Sequence, residues 1–401
     1  MHKEKDDIMR LGRRRAWFGA LVIVNVCLLG AAAGASLPAV ASAPAGQAQA
    51  PPGAPLMAEN FFKNIQVLKG MPVDEFMDAM GMFSASLGYD CVSCHSSELY
   101  NNRDAFAIAT PMIQRARQMI VMMQAINKQY FGGQPRMSCF TCHRGQDRPG
   151  NIPSLALQYG ELVDDPNAMT IYPDTRNTVE QVFTKYITAL GGAQRLSALT
   201  SYVATGTYEG FNTGGSAIPV DVYAKAPRQR AQVVHMPDGD AIKTFDGTQA
   251  WAAEGWRPMP LLQLTGGNLE GAQLEAIVQF PAGIQKAYAT WQVSGTLLDD
   301  KSTTILQGTN PNQLPVNFYF DAESGLLVRI VRWNRTGVGI VPTQIDYSDY
   351  RDVNGVKLPH HAVLTWTDGQ NTYEFKQIRP NVTIDAARFA RPAPYAPRKQ
   401  P

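Results

Sequence analysis

Hydrophobic residues recur at helical spacing in the first part of the chain. One run follows Met71-Pro72 and a second follows Thr110-Pro111, and both openings are typical of a helix start. The first run carries Val73, Phe76, Met77, Met80, Phe83 and Leu87, and the second carries Ile113, Ala116, Met119, Ile120, Met123 and Ile126. Because side chains three and four positions apart share one face of a helix, these runs predict a small all-α domain over residues 59–157.

The spacing of hydrophobic residues changes near Thr178. Thr178 and Gln181 match the capping box that opens a helix, and Gly191-Gly192 closes it. Short alternating runs with turn signals between them then predict strands. These runs cover residues 202–208, 220–224, 229–235, 242–245, 317–321, 326–332, 344–350 and 361–365. We expect an antiparallel half-barrel or curved sheet around that one helix over residues 178–392, so the fold class is α+β multidomain.

The N-terminus indicates export. Residues 1–15 are rich in Lys and Arg, and an apolar run from residue 16 to about residue 37 leads into small residues. This pattern is typical of an export signal, and the run is also long enough to remain as a membrane anchor. We expect residues 1–43 to be a signal peptide or an N-terminal anchor. The rest of the chain then lies on the periplasmic side of the inner membrane, either soluble or anchored.

Composition marks two linkers and a tail. Residues 44–58 are rich in Pro, Ala, Gly and Gln, and residues 158–177 contain several Asp, Pro and Asn residues. Residues 393–401 form a short tail. We therefore expect the helical and the β-rich regions to be separable domains.

Composition also narrows the classes of function. The chain has 401 residues, of which 45% are hydrophobic and 17% charged, and this excludes a fully disordered protein. The formal net charge of +2 provides no basic surface for nucleic acid, so a nucleic-acid partner is not expected.

Two short cysteine motifs carry the candidate chemistry. Residues 91–95 are Cys-Val-Ser-Cys-His and residues 139–143 are Cys-Phe-Thr-Cys-His, and C-x-x-C-H is the attachment signature of c-type haem. On a helical turn both thiols reach the vinyl groups of one porphyrin, and the histidine brings a ring nitrogen under the iron. The sequence therefore predicts two covalently bound haem c groups. Their attachment residues are Cys91, Cys94, Cys139 and Cys142, and their proximal ligands are His95 and His143.

Paired cysteines have two further common uses. Two C-x-x-C pairs can form one four-cysteine zinc site, or two local disulfides in an oxidising compartment. Neither use explains a histidine directly after both pairs in an exported chain. Haem attachment is therefore the leading interpretation, and Cys27 lies outside it.

Each iron needs a sixth ligand, and histidines are scarce. The remaining histidines are His2 near the N-terminus and His235, His360 and His361 in the β-rich region. Ten of the fifteen methionines lie between residues 57 and 137, close to both motifs. Any single methionine is more often flexible core filler. Two of them are nevertheless expected to be axial ligands, a role that methionine takes in c-type cytochromes.

A known family shares these features. Residues 64–68 and 75–80 resemble the first haem segment of the cytochrome c subunit of photosynthetic reaction centres, and residues 116–127 and 139–145 resemble its second. The resemblance covers about residues 59–150, with both motifs and the helix before each. It implies a methionine of the preceding helix as sixth ligand, and the matching positions are Met80 for the first haem and Met119 for the second. Met77, Met122 and Met123, one turn away, are the fallback candidates.

The resemblance implies an electron carrier whose partners are redox donor and acceptor proteins, including membrane-bound ones. The family subunit usually carries four haems, whereas this chain has two attachment motifs and continues with an unrelated β-rich sequence. Photosynthetic electron transport is implied by the family resemblance only.

The β-rich region resembles a second fold family. Residues 189–192 and 245–251 are similar to the outer-membrane lipoprotein carrier fold. That fold implies an apolar groove that holds an acyl chain, and residues such as Trp251, Trp256, Phe318 and Trp366 would line it here. We expect the groove to be filled by the protein's own side chains, as in most small curved sheets.

The sequence contains no evident catalytic set. His360 and His361 are adjacent, and neighbouring residues of a strand point to opposite faces, so they do not predict a metal pair. Methionine at both irons also disfavours a peroxidase. We expect an electron carrier rather than an enzyme. The alternative is an envelope module that binds lipid or another hydrophobe, with the haem domain as a sensor or redox accessory.

Overall fold

The computed structural model describes residues 54–100, 102–152, 171–174, 176–257 and 259–397. The predicted export segment at residues 1–43 lies outside them, as do most of the linkers predicted at 44–58 and 158–177 and the end of the predicted tail at 393–401. Within the described residues, no helix has the length and apolar character needed to cross a membrane.

The described residues before 153 are mainly helical. Their helices are α1 (Ala58–Phe61), α2 (Val73–Leu87), α3 (Cys91–Cys94), α4 (Pro111–Tyr130) and α5 (Cys139–His143), with 3-10 turns at Ser97–Tyr100 and Arg103–Ala107. The starts of α2 and α4 confirm the sequence prediction. Thr110 caps α4, because its Oγ1 accepts the backbone N–H of Ile113 at 3.2 Å. Gly88 ends α2 in the left-handed conformation, with φ of 69°.

The remaining described residues form an antiparallel sheet. Its strands are β1 (Tyr172–Pro173), β2 (Ser201–Gly210), β3 (Ile218–Lys225), β4 (Gln229–Met236), β5 (Gly239–Phe245), β6 (Ala250–Ala253), β7 (Leu262–Leu264), β8 (Thr290–Leu298), β9 (Lys301–Thr309), β10 (Val316–Asp321), β11 (Leu327–Thr336), β12 (Gly339–Val353), β13 (Val356–Trp366) and β14 (Gly369–Pro380). From edge to edge the order is β1-β8-β9-β10-β11-β12-β13-β14-β2-β3-β4-β5-β6-β7. Among the described residues the sheet is open, and β1 and β7 are its edges.

All eight predicted strands are confirmed, with ends that differ by a few residues. Sequence analysis missed β1, β6, β7, β8, β9 and β14. In β14 the reason is its polarity, because polar residues occupy positions on both faces and even the buried Asn371 lies among them. Strand formation there depends on pairing with β13 and β2 rather than on a local pattern.

Several helical segments pack against the sheet, whereas the sequence predicted one helix. They are α6 (Val179–Ala189), α7 (Ala193–Ala198), α8 (Gly266–Ile277) and a 3-10 turn at Pro281–Ala287. The capping box of α6 is confirmed, since Thr178 and Gln181 bond each other's backbone N–H groups. The α8 helix was missed because it opens with the glycine pair Gly266-Gly267, and glycine is a weak helix former.

The main core lies between these helices and one face of the sheet. From α6, Phe183 packs edge-on against Trp291 with ring centroids 4.9 Å apart, and Tyr186 packs against Phe320 at 5.1 Å. The same cluster includes buried residues from β2, β3, β10, β11 and β13, among other strands. Burial of so many large side chains is the main source of stability for the β-rich region.

The α2 and α4 helices share a second core with the sheet. The buried residues of this cluster are Leu68, Met71, Ala79, Met82, Ile120, Met123, Val338 and Val341. Val338 lies in the turn between β11 and β12 and is fully buried. The helical segment and the sheet therefore pack together within one compact unit.

Candidate haem-binding site

The first motif lies on the short helix α3, which is capped by the residue before it. Asp90 Oδ1 accepts the backbone N–H of Ser93 at 2.9 Å and its hydroxyl at 2.6 Å. The backbone N–H of His95 donates to Cys91 O at 2.9 Å, so the helical turn extends to the histidine. Cys91 is exposed and Cys94 is half-buried. The cap thus presents two cysteines three positions apart on one turn, which is the spacing that haem attachment requires.

His95 sits in a partly apolar environment. Its ring lies edge-on to Phe106, with centroids 5.2 Å apart, and its buried Nδ1 has no hydrogen-bond partner among the described residues. Desolvation lowers the pKa of His95, against a smaller raising contribution from the backbone of Phe106. The ring is therefore neutral at neutral pH, and a neutral imidazole has the free nitrogen lone pair that a metal needs.

The second motif lies on α5 and is fixed from both sides. Ser138 and Thr141 form a capping box at its start. Upstream, the buried side chain of Asn127 donates to Met137 O at 2.8 Å and accepts the Met137 N–H at 2.9 Å. This two-point contact attaches the segment before Cys139 to α4.

His143 has one ring nitrogen engaged. Its Nδ1 lies 3.0 Å from Gln146 O, and a neutral ring that donates there leaves Nε2 free. Arg144 follows in the left-handed conformation, with φ of 51°, and ends the helix. The chain then contacts α2, because Gly145 N–H donates to Ser86 O at 2.9 Å.

The four motif cysteines are free thiols. Desolvation, with smaller contributions from the carboxylates of Asp368 and Asp90, raises the pKa of Cys91. Desolvation also raises the pKa of Cys94 and takes that of Cys139 to about 11. The thiols of Cys91, Cys94 and Cys139 are therefore protonated at neutral pH. Within the described part of the chain, His, Cys, Asp and Glu do not form a group of three or more that could hold a metal ion, as a four-cysteine zinc site would require.

The candidate methionine ligands occupy different environments. Met80 is half-buried and packs on the same cluster as Cys139. Met119 is 38% exposed on α4, and Met122 is 48% exposed beside it. Met77 packs against the buried cluster around Val73, and Met123 is buried in the core shared with the sheet. Met80 and Met119 thus remain predictions, and both have accessible side chains.

The histidines of the β-rich region have local partners. His235 lies between two carboxylates, with Nδ1 3.2 Å from Asp240 and Nε2 3.2 Å from Asp221. His360 is buried with Nδ1 3.0 Å from Leu358 O, whereas His361 Nδ1 lies 2.5 Å from Glu374. The prediction that His360 and His361 point to opposite faces is consistent with these different surroundings.

The four aromatic residues expected to line a groove differ in their burial. Phe318 is fully buried and Trp251 is 7% exposed, while Trp256 is 41% exposed and Trp366 is half-buried. A described cavity of about 50 Å³ lies between α8 and the sheet, and its lining includes Leu274, Tyr288, Val316 and Arg332 but none of these four. The groove filled by the protein's own side chains stays a prediction.

Sequence analysis missed several residues that support the motifs. Thr110 was predicted only as a helix cap, but its hydroxyl also donates to Cys94 O at 2.7 Å and connects α4 to the first motif. Asn127 was not predicted to have a role. It is a polar residue on the otherwise apolar face of α4, and this position could have indicated a buried hydrogen-bonding role. Asp74 of α2 was also missed: its buried carboxylate accepts hydrogen bonds from Thr265, 191 positions later.

Comparison with known families confirms the resemblance of the helical segment. The family model of the photosynthetic reaction centre cytochrome C subunit matches residues 31–190, and a family of unknown function (DUF6544) matches residues 264–377. The photosynthetic reaction center cytochrome c subunit of Roseobacter denitrificans is 30% identical over 112 residues. That match covers 25% of this chain and 29% of the relative, so the chain spans less than a third of the relative's length.

Solved structures resemble the β-rich region at low scores. A LolA superfamily protein from Nitrosomonas europaea gives a TM-score of 0.37 at 9% identity, covering 53% of this chain and 98% of that one. A DUF1329 family protein from Desulfovibrio piger gives 0.36 at 11% identity, covering 53% and 97%. The first of these belongs to the carrier family whose fold the sequence resembles. Scores this low carry no conclusion about function.

Proposed function

We propose that the chain is an exported electron-transfer protein with two covalently bound haem c groups. The observation that carries the proposal is that both C-x-x-C-H motifs fold as short, separately capped helices with free thiols. A match of residues 31–190 to a cytochrome c subunit family supports it.

In the first site, Cys91 and Cys94 would form the two thioether bonds, and His95 would ligate the iron from the proximal side. Met80 of α2 would be the sixth ligand. The buried Nδ1 of His95 has no hydrogen-bond partner among the described residues, and the ring is neutral. Both properties suit His95 as the proximal ligand. Bound haem supplies one-electron oxidation and reduction at its iron.

In the second site, Cys139 and Cys142 would be the attachment residues, with His143 as proximal ligand and Met119 as the sixth ligand. The hydrogen bond of His143 to Gln146 O orients the ring and leaves Nε2 to bind the metal. Asn127 holds the motif against α4, the helix that carries Met119.

Apolar side chains are exposed on the two helices of the second proposed site. Phe140 is 49% exposed between the cysteines of α5, and Met119 and Met122 of α4 are 38% and 48% exposed. A flat, largely apolar group that covered these side chains would remove their surface from water, which favours binding.

We further propose that the protein works on the periplasmic side of the inner membrane, between a redox donor and an acceptor protein. The basic and apolar pattern of residues 1–43 supports export, and covalent haem c attachment takes place on that side. Participation in photosynthetic electron transport rests on the name of the relative alone. We propose an electron carrier rather than an enzyme, because a methionine ligand at each iron would leave no open position for a substrate.

A spectrum of the exported, full-length protein tests this proposal. The pyridine haemochrome should give two haem c per chain, and the reduced-minus-oxidised spectrum should show c-type bands. A Cys94→Ala, His95→Ala double variant should drop the ratio to one, and Cys142→Ala, His143→Ala should do the same. An unchanged ratio in both variants, or a wild-type protein without c-type bands, would contradict the proposal.

A further inference from the structure

The helix that carries Met80 is attached to the sheet at its N-terminal end. The Asp74 carboxylate accepts the backbone N–H of Thr265 at 2.5 Å and the Thr265 hydroxyl at 2.8 Å. Asp74 is only 3% exposed, so these bonds lie in the interior. Hydrogen bonds to a charged group contribute more than neutral ones, and breaking them would leave a buried charge unpaired.

A second carboxylate extends the contact one turn further along α2. Asn268 Nδ2 donates to Asp78 Oδ2 at 2.8 Å, and Asn334 Nδ2 donates to the same oxygen at 3.3 Å. Asn334 Nδ2 also lies 3.1 Å from Asn268 Oδ1, and Arg332 Nη1 donates to Asn334 Oδ1 at 3.1 Å. Asp78 is therefore held by α8 and β11 together. It lies two residues before Met80 on the same helix.

The turn between β11 and β12 packs beneath both long helices. Val338 and Val341 are buried in one cluster with Met82 of α2 and with Ile120 and Met123 of α4. Half-buried Met80 and Cys139 pack against that cluster. Part of the apolar surface under both candidate haem sites is thus supplied by the sheet.

A second turn of the sheet lies against α2. A β-carbon built on Gly81 of α2 would lie 2.9 Å from both Thr367 Oγ1 and Asp368 Oδ1, in the turn between β13 and β14. The β13–β14 turn therefore contacts α2 at the residue that follows Met80.

We infer that the sheet is a structural part of the haem site, and that Asp78, held by Asn268 and Asn334, is a positioning residue for Met80. The inference rests on the proposed function, because Met80 is an axial ligand only when haem is bound. It departs from the separable domains that the linker composition predicts. The β-rich region is then needed for the ligation state and reduction potential of one haem.

The test changes one residue of α8 and one of β11, and it leaves the haem segment's own sequence intact. In the full-length protein, Asn268→Ala with Asn334→Ala removes both donors to Asp78, which is 190 positions from Asn268. Both haems should remain attached by mass. The far-red sulfur-to-iron band of the oxidised protein should lose the contribution of one haem, and one of the two reduction potentials should fall.

Asn317→Ala is the matched control, because Asn317 is also a buried sheet asparagine, is 3% exposed and accepts a hydrogen bond from Gln307 at 2.9 Å. It should lower the melting temperature and leave the band and both potentials unchanged. If the double variant does not fold, the single variant Asn268→Ala replaces it in the test. It creates a smaller cavity, since Asn268 is half-buried. Asp78→Asn, which keeps an acceptor oxygen, should retain more of the band than Asp78→Ala.

Two results separate this inference from the proposed function. If the wild type carries two haems and Met80→His removes part of the band, but the asparagine variants keep the wild-type band and potentials, the inference is wrong and the function stands. If the wild type carries no covalent haem, the proposed function fails and the inference fails with it.

Discussion

The histidines of the two C-x-x-C-H motifs lie in different surroundings. His143 is oriented by a hydrogen bond, because its Nδ1 lies 3.0 Å from Gln146 O. His95 has no such partner at its buried Nδ1, and desolvation lowers its pKa instead. One ring is therefore fixed by a partner and the other is kept neutral by its surroundings.

Met80→His and Met119→His test the sixth ligands. A thioether favours the ferrous state and raises the potential relative to a second histidine. We therefore expect each variant to remove part of the far-red sulfur-to-iron band and to lower one reduction potential. Redox titration monitored by visible absorption measures both effects.

Met77→Leu and Met122→Leu are the matched controls for this experiment. Met77 packs against the buried cluster around Val73, and Met122 is exposed beside Met119. Both variants should keep the full band. A band that survives both histidine substitutions and is lost in a leucine variant would assign ligation to that methionine instead.

At the scale of elements, helix starts were predictable because capping is local. Pro72, Thr110 and Thr178 mark the starts of α2, α4 and α6 within a few residues of sequence. The α8 helix and strand β14 were not predictable in the same way. The α8 helix opens with two glycines. The residue before it, Thr265, is hydrogen-bonded to Asp74 of α2, which is far away in sequence. Strand β14 is stabilised by its neighbours in the sheet.

Gly339→Ala tests the contact between the β11–β12 turn and the helices. Gly339 has φ of 150°, and a β-carbon there would lie 2.5 Å from Met82 Cε and 2.8 Å from Ser138 Cβ. We expect a loss of about 1–3 kcal/mol in unfolding free energy, because backbone strain and overpacking add. Chemical denaturation of the full-length protein measures it.

The control for this substitution is Gly283→Ala. A β-carbon at Gly283 meets nothing within 4 Å, and its φ is not positive. Stability should then be unchanged within about 0.5 kcal/mol. Equal stability of the two variants would show that the turn does not press on Met82 and Ser138.

At the scale of the whole molecule, the C-x-x-C-H motifs could be predicted from the sequence, whereas the tertiary contacts around them could not. The spacing of Cys91, Cys94 and His95 is typical of haem attachment, and it can be recognised without a structure. Nothing local indicates that Asp78 meets Asn268 or that Val338 lies in a core with Met82. Such contacts join residues far apart in sequence, and single-sequence patterns report only near neighbours.

The packing of the β-rich region predicts that it carries no acyl chain. Its core positions are filled by residues such as Phe318, Tyr319 and Phe320, each at most 1% exposed, and the described cavity of about 50 Å³ has room for a few water molecules only. Native mass spectrometry of the full-length protein should show no lipid adduct. A fluorescent fatty acid should not be displaced at micromolar concentration. Co-purified lipid that is lost on Trp251→Ala would favour the lipid-binding alternative.

The intact mass of the exported protein tests the central claim most directly. Acid–acetone extraction removes haem that is not covalently bound, so only thioether-linked haem survives it. The account predicts a chain that keeps two haem additions after extraction, one at Cys91 and Cys94 and one at Cys139 and Cys142. A mass with no haem addition, from a protein that binds zinc instead, would contradict it.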